Sequence, residues 1–217
     1  GIPTSFIVGK TGQIEWIGHP MGMDEPLEAV VTDSWDREKF KAELKMQEEF
    51  DLRRGIPVGH ANDDAEEDET GKVSLGSGEL ELTVDGSVQL LGLRFTNIGL
   101  DRDSVIRGAY IQFTCDEPSV RPTSLIIAAE DTGDADRFSS DHHDLSSRTQ
   151  TRAEVGWNPK PWLIPGATAS AQRTPNLAPL IQSVIRRDDW DAGNSLAFLI
   201  SGSGRRIAAA YRSGSKN

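Results

Sequence analysis

The sequence contains one cysteine, Cys115, among 217 residues. A single thiol can form neither an intrachain disulfide nor a cysteine cluster for zinc. Its strand-like, apolar neighbours predict a small buried side chain and not a nucleophile. No run approaches the ~18 consecutive apolar residues of a membrane-spanning helix, so we predict no membrane insertion.

Basic residues are scarce. The chain has 23 Lys and Arg residues against 34 Asp and Glu residues, for a formal net charge of −11. Affinity for nucleic acids depends on basic side chains that neutralise phosphates, so we predict no nucleic-acid partner. An acidic surface is compatible with neutral substrates and divalent cations.

Common catalytic motifs are also missing. The sequence has no Gly-x-Ser-x-Gly elbow, no His-Glu-x-x-His, no P-loop and no Gly-x-Gly-x-x-Gly. Hydrophobic residues make up 36% of the chain, with 21 Gly and 11 Pro. That balance favours a loop-rich β-sandwich over a helical bundle.

The first 52 residues predict a short α/β segment. Residues 4–8 and 13–18 are strand-like and flank a Gly-containing turn, which predicts a β-hairpin. An acidic first turn with a proline predicts a helix from Asp24, and apolar residues at helical spacing predict another over residues 36–52.

This segment resembles the second half of a thioredoxin-like domain of the periplasmic redoxin type. The resemblance lies in residues 1–8, the Gly turn and residues 14–20, and it covers about 50 residues. It implies that Pro3 matches the family's cis-proline beside the redox cysteines. No Cys-x-x-Cys is present, and thiol exchange requires an attacking thiolate and a resolving partner, so we exclude thiol–disulfide oxidoreductase activity for this chain.

Residues 53–72 break the pattern. The run over residues 63–69 is densely acidic and shows no apolar periodicity. Self-repulsion extends such a segment and it has little to bury, so we predict an acidic linker. A loose cation-binding tract is the alternative, although the spacing does not match an EF-hand loop.

From Val73 the pattern changes to short alternating strands separated by turns. One helix, predicted from Pro175 to Arg187, interrupts them. We predict a mainly β fold: an antiparallel, jelly-roll-like β-sandwich with one packed helix over residues 73–213.

This second part resembles a module of large secreted proteins of planctomycetes and marine bacteria, similar in style to the jelly-roll modules of polysaccharide-active enzymes. The matching segments are residues 92–95, 109–117, 155–162, 174–177 and 193–196. The resemblance implies a periplasmic or extracellular location and a carbohydrate or cell-surface polymer as partner. It assigns no catalytic residues.

Two loops contain candidate metal ligands. Asp131, Asp134 and Asp136 form an oxygen-rich loop that would suit calcium, with a solvated acidic turn as the alternative. His142 and His143 are the only histidine pair and could help to ligate a transition metal. Neighbours in an extended chain point to opposite faces, so an exposed polar loop is the competing interpretation.

Two acidic pairs suggest catalysis. The pairs Asp116–Glu117 and Glu130–Asp131 end two strands that we predict to be neighbours, so their four carboxylates could converge at one rim. Glycosidases require two carboxylates about 5–9.5 Å apart.

The turn at residues 202–204 followed by two arginines could hold an anion, although a hairpin turn explains it equally well.

Trp157, Asn158 and Trp162 lie in a proline-stiffened loop and are our candidate ligand-binding residues. Exposed indoles stack on sugar rings and donate hydrogen bonds to hydroxyls. Equally, both rings could cover the sandwich core.

The leading hypothesis is a secreted, non-catalytic, calcium-stabilised module that binds carbohydrate or attaches to a surface. The alternative is a metal- or carboxylate-dependent enzyme that acts on polysaccharide hydrolytically or oxidatively.

Overall fold

A computed structural model describes residues 5–18, 20, 23–41 and 55–211. The chain divides into two compact units, Gly1–Gly55 and Ile56–Asn217. In the described part of the chain, no helix has the length and apolar character needed to cross a membrane.

The first unit contains the predicted hairpin and helix. Strands β1 (Ser5–Val8) and β2 (Ile14–Gly18) pair antiparallel, and helix α1 spans Asp24–Val31. Residues 37–41 are also helical. The rest of the predicted second helix, at residues 42–52, lies outside the described residues, as does Pro3.

The second unit is mainly β, as predicted. Its strands are β3 (Asp64–Asp68), β4 (Val73–Leu75), β5 (Glu79–Leu82), β6 (Val84–Asp85), β7 (Ser87–Phe95), β8 (Cys115–Glu117), β9 (Ser124–Glu130), β10 (Gln150–Trp157), β11 (Leu196–Ser203) and β12 (Arg206–Ala209). Helix α2 spans Ala178–Ile185, which confirms the predicted helix with shorter bounds.

These strands form two antiparallel sheets. The larger, seven-stranded sheet has the order β10-β9-β11-β7-β3-β4, with β6 also paired to β7. The smaller, three-stranded sheet has the order β5-β12-β8. The main core contains side chains from both sheets and from α2, which agrees with the predicted sandwich and its packed helix.

Helix α2 contributes apolar side chains to this core. Its buried face presents Leu180, Val184 and Ile185 to the core. Full burial of each such side chain stabilises the folded protein by about 1.5–3 kcal/mol. Cys115, on β8, is a free thiol with 1% exposure in the same core, as predicted for a small apolar residue.

The predicted acidic linker is wrong for residues 64–68. They form β3, which pairs with β7 on one side and β4 on the other, and Asp64 to Glu67 are all buried. Residues 56–72 belong to the second unit. Charge density alone predicted an extended solvated chain, but backbone amides donate hydrogen bonds to the carboxylates of Asp64, Glu66 and Glu67.

A second, smaller apolar cluster lies apart from the main core. The loop that follows β9 contributes Phe138 and Leu145, which pack with Ala65, Val73, Ala197 and Leu199. Gly92, on β7, permits this packing, because a Cβ there would lie 2.7 Å from Phe138 and 3.0 Å from Leu145. The strand therefore has no side chain where the loop covers it.

We predict that Gly92→Ala destabilises the protein by about 1–3 kcal/mol, because the added methyl group overpacks a close-packed contact. Gly156→Ala on β10 is the matched control, since nothing lies within 4 Å of a Cβ at that strand position. Urea unfolding of both variants measures the difference. Equal stability of the two variants would contradict this account of the loop packing.

Candidate functional site

The two candidate tryptophans are core residues, so the prediction of an exposed sugar-stacking pair is wrong. Trp157 is 5% exposed and Trp162 is 0% exposed. Trp157 stacks on Phe113 with 5.7 Å between ring centroids, and the Trp162 indole nitrogen donates to the Ala171 carbonyl at 2.8 Å. Burial leaves neither ring face available to a sugar.

Asn158, the third candidate, is exposed and lies in a groove of about 520 Å³. One wall comes from residues 120–124 and the other from Asn158, Pro159 and Pro161, with Ser203 and Arg206 completing the lining. Three prolines, with Pro122 as the third, give the groove rigid, partly apolar walls.

Arg206 fastens the two walls together. Its guanidinium donates to the Arg121 carbonyl at 2.9 Å and to the Thr123 hydroxyl at 2.7 Å on one side. On the other side it donates to the carbonyls of Pro159 at 2.8 Å and Lys160 at 3.1 Å. Five fixed donors on one planar group suit it to this bridging.

Backbone hydrogen bonds also connect the two residues that directly adjoin these walls. The amide and carbonyl groups of Ser119 and Trp162 exchange two hydrogen bonds, at 2.8 and 2.9 Å. Trp162 thus holds the end of one wall through its backbone, while its indole is buried in the core and does not line the groove. The groove is consequently held in its shape without a ligand.

Three polar side chains in the groove are free to bind. Within residues 55–211, the structure gives no hydrogen-bond partner to the side chains of Asn158, Ser124 or Ser203, and all three are exposed. A concave surface with apolar walls and a few unpaired polar groups has the ordinary composition of a ligand site.

A second cleft, of about 370 Å³, is polar. It lies where β3 and β7 of the larger sheet approach β5 of the smaller one. Its acidic lining residues are Glu66, Asp68, Glu79, Glu81 and Asp85. Glu66 and Glu81 are both buried, at 7% and 8% exposure.

The carboxyl groups of Glu66 and Glu81 lie close enough to shift each other's pKa, and burial raises the pKa of both, so ionising both together is unfavourable. Glu66 also accepts from the Glu81 amide at 2.8 Å and from the Gln89 side chain at 2.9 Å. These donors favour the ionised form of Glu66, whereas the Glu81 carboxyl has the half-exposed Arg205 guanidinium at 3.3 Å, so the proton is better held by Glu81. Burial, followed by the nearby charge of Glu66, raises the pKa of Glu81 to about 7.

The candidate calcium loop is already bonded within the protein. The Asp131 carboxylate pairs with Arg187, and Asp134 accepts from the Ser195 amide at 2.8 Å. Asp136 is exposed nearby, and its carbonyl accepts from Arg148. Among the described residues, no group of three or more His, Cys, Asp or Glu side chains is arranged to hold a metal ion. Calcium stabilisation stays a prediction, and an ion at Asp131 would have to displace Arg187.

His142 and His143 meet edge to face, with 4.5 Å between ring centroids. A positive φ of 64° at His143 provides the kink that brings two sequence neighbours together. The His143 ring lies 3.5 Å from the Glu67 carboxylate and 3.2 Å from the Ser146 hydroxyl. Glu67 in turn accepts hydrogen bonds from the amides of Leu145 and Ser146. Glu67 and His143 therefore hold this loop in place.

The four candidate catalytic carboxylates belong to different sheets. Asp116 and Glu117 are on β8, which pairs with β12, whereas Glu130 ends β9, which pairs with β10 and β11. Glu130 is bonded to Arg148 at 2.9 Å. The prediction that their strands are neighbours is therefore wrong.

Sequence reasoning missed the cleft and half-identified the groove. The turn at residues 202–204 and its two arginines gave a signal for an anion site, and Arg206 proves to be a groove residue. Glu66 was hidden inside the run interpreted as a linker. Glu79 and Glu81 alternate with Leu80 and Leu82, which predicted a strand but not a buried acid.

No model of a known protein family matches the chain, and a search of curated proteins finds no match.

We predict that stability falls as the pH rises from about 4.5 to 7. Over this range the unfolded chain has lost the Glu81 proton while the folded chain retains it, so raising the pH favours unfolding. Each unit of pKa difference corresponds to about 1.4 kcal/mol. Urea unfolding across this range measures the loss, which we expect to be at most about 3 kcal/mol.

Glu81→Gln should flatten that profile, because the amide keeps a hydrogen-bond donor toward Glu66 and cannot ionise. Glu69→Gln, at an exposed position in the turn after β3, is the matched control and should retain the wild-type slope. An unchanged slope in Glu81→Gln would show that another group holds the proton.

Proposed function

We propose that this chain is a secreted, non-catalytic module that binds carbohydrate, or attaches to a surface polymer, through the groove between residues 120–124 and 158–161. The observation that carries the proposal is the fastening of both walls by Arg206 around unpaired polar side chains. A preformed site avoids the cost of ordering loops when a ligand binds.

Sugars match this lining because a pyranose ring has apolar C–H faces and a rim of hydroxyls. The proline rings supply apolar contact, and the free side chains of Asn158, Ser124 and Ser203 supply hydrogen bonds. The buried tryptophans contribute the scaffold. The resemblances of residues 1–50 and 73–213 to periplasmic and secreted proteins support an extracytoplasmic location.

We expect the full chain to be retained by at least one member of a panel of neutral and charged polysaccharides. Asn158→Ala and Ser203→Ala should each weaken binding about 3- to 10-fold, as expected for the loss of one hydrogen bond. Affinity electrophoresis measures both effects. Ser140→Ala, at an exposed position of the loop after β9, is the matched control.

Two outcomes would contradict the proposal. One is a panel that retains none of the wild-type protein. The other is that the two groove substitutions weaken binding no more than the control Ser140→Ala does. That result would place the ligand elsewhere on the molecule.

The second candidate is a carboxylate-dependent hydrolase, and Glu81 is the observation in its favour. A buried acid with a pKa of about 7 in an open cleft has the properties of a general acid. Glu66 acts directly on the pKa of Glu81, so it is not the separately placed second carboxylate that a glycosidase requires. A separate base would have to come from Glu79 or Asp85.

Under this alternative, the chain should release reducing ends from a polysaccharide, and Glu81→Gln should abolish the release. Glu69→Gln again provides the matched control. Binding without turnover across the panel would contradict the enzyme and leave the binding module standing.

A further inference from the structure

The charged residues that line the groove are opposite in sign to the net charge of the chain. The chain carries a formal net charge of −11, yet the lining of the groove includes two arginines, Arg121 and Arg206, and no carboxylate. We propose that the ligand of this groove is a polysaccharide whose sugars carry carboxylates, that is, a uronic-acid polymer. This inference deepens the proposed function and rests on it.

Arg206 supplies an uncompensated positive charge. It is 1% exposed, and all of its bonding partners are neutral carbonyl or hydroxyl oxygens. Within the described residues no carboxylate lies within ion-pair distance of it. A guanidinium stays protonated in proteins. The charge therefore acts on the groove through a wall of low dielectric, where electrostatic interactions are stronger than in water.

Arg121 and the free polar groups provide direct contact. Arg121 is exposed, and its backbone carbonyl accepts a hydrogen bond from the Arg206 guanidinium, which holds this wall in place. A carboxylate matches the planar fork of a guanidinium, and such charge-assisted bonds are stronger than neutral ones. Asn158 and Ser203 remain available for sugar hydroxyls.

Charge density distinguishes this ligand from other polyanions. A chain of net charge −11 repels polymers with closely spaced phosphates or sulfates, because two local arginines cannot offset repulsion along their length. A uronic-acid polymer carries one charge per sugar. The local positive groove can select such a charge while the acidic surface rejects denser polyanions.

The decisive comparison uses one backbone in two charge states. Soluble polygalacturonate and its fully methyl-esterified form differ in their carboxylates alone. We expect the full chain to bind the acid form about tenfold more tightly, with a preference that declines as salt is added. Affinity electrophoresis at two ionic strengths measures this.

Each outcome decides the matter. Equal binding of both forms overturns the carboxylate inference while the proposed binding function stands. Tighter binding of dextran sulfate or DNA than of polygalacturonate also overturns it. Retention by no polysaccharide in the panel overturns the inference and the proposed function together.

Substitutions locate the effect. Arg121→Gln should reduce affinity for the acid form about tenfold and leave affinity for the ester unchanged. Arg107→Gln removes one charge at another exposed position and is the matched control. Arg206→Lys keeps the charge and should preserve the preference for the acid form. If that variant does not fold, as circular dichroism would show, Arg121→Gln and the salt dependence decide.

Discussion

The buried carboxylates of β3 are the interaction on which the sandwich depends. Asp64 accepts the Tyr211 amide at 2.8 Å just after β12, and Glu66 accepts the Glu81 amide on β5. On the opposite face, Glu67 accepts two amides of the loop after β9. One strand thus joins the larger sheet to the smaller sheet and to the covering loop, with side-chain oxygens in place of backbone partners.

This arrangement reconciles an acidic segment with burial. A buried charge is costly unless hydrogen bonds compensate it. In β3, the carboxylates of Asp64, Glu66 and Glu67 accept hydrogen bonds from backbone amides. The Asp63 carboxylate, just before the strand, pairs with Arg94 at 2.7 Å. The same principle governs Arg206, whose charge is solvated by carbonyls. Buried ions at both sites organise loops and sheet edges, and this is where the cleft and the groove are found.

Much of the fold could be predicted because its signals are local. Alternating Leu80 and Leu82 marked a strand, and the apolar face of residues 177–185 marked the packed helix. Partners distant in sequence could not be predicted. The acids of residues 63–68 look like a linker until amides from Glu81, Leu145 and Tyr211 are brought to them. The proline-rich loop of Trp157 and Trp162 fits exposed rings and core-covering rings equally well, and only the packing of Phe113 beside them decides for the core.

The proton on Glu81 also affects the charge balance of folding. The formal charge of −11 counts every carboxylate as ionised. Between about pH 4.5 and 7 the folded chain holds the Glu81 proton that the unfolded chain has released, so Glu81 makes folding take up a proton from the buffer. The enthalpy of unfolding in this range therefore includes the heat of ionisation of the buffer and differs between phosphate and Tris.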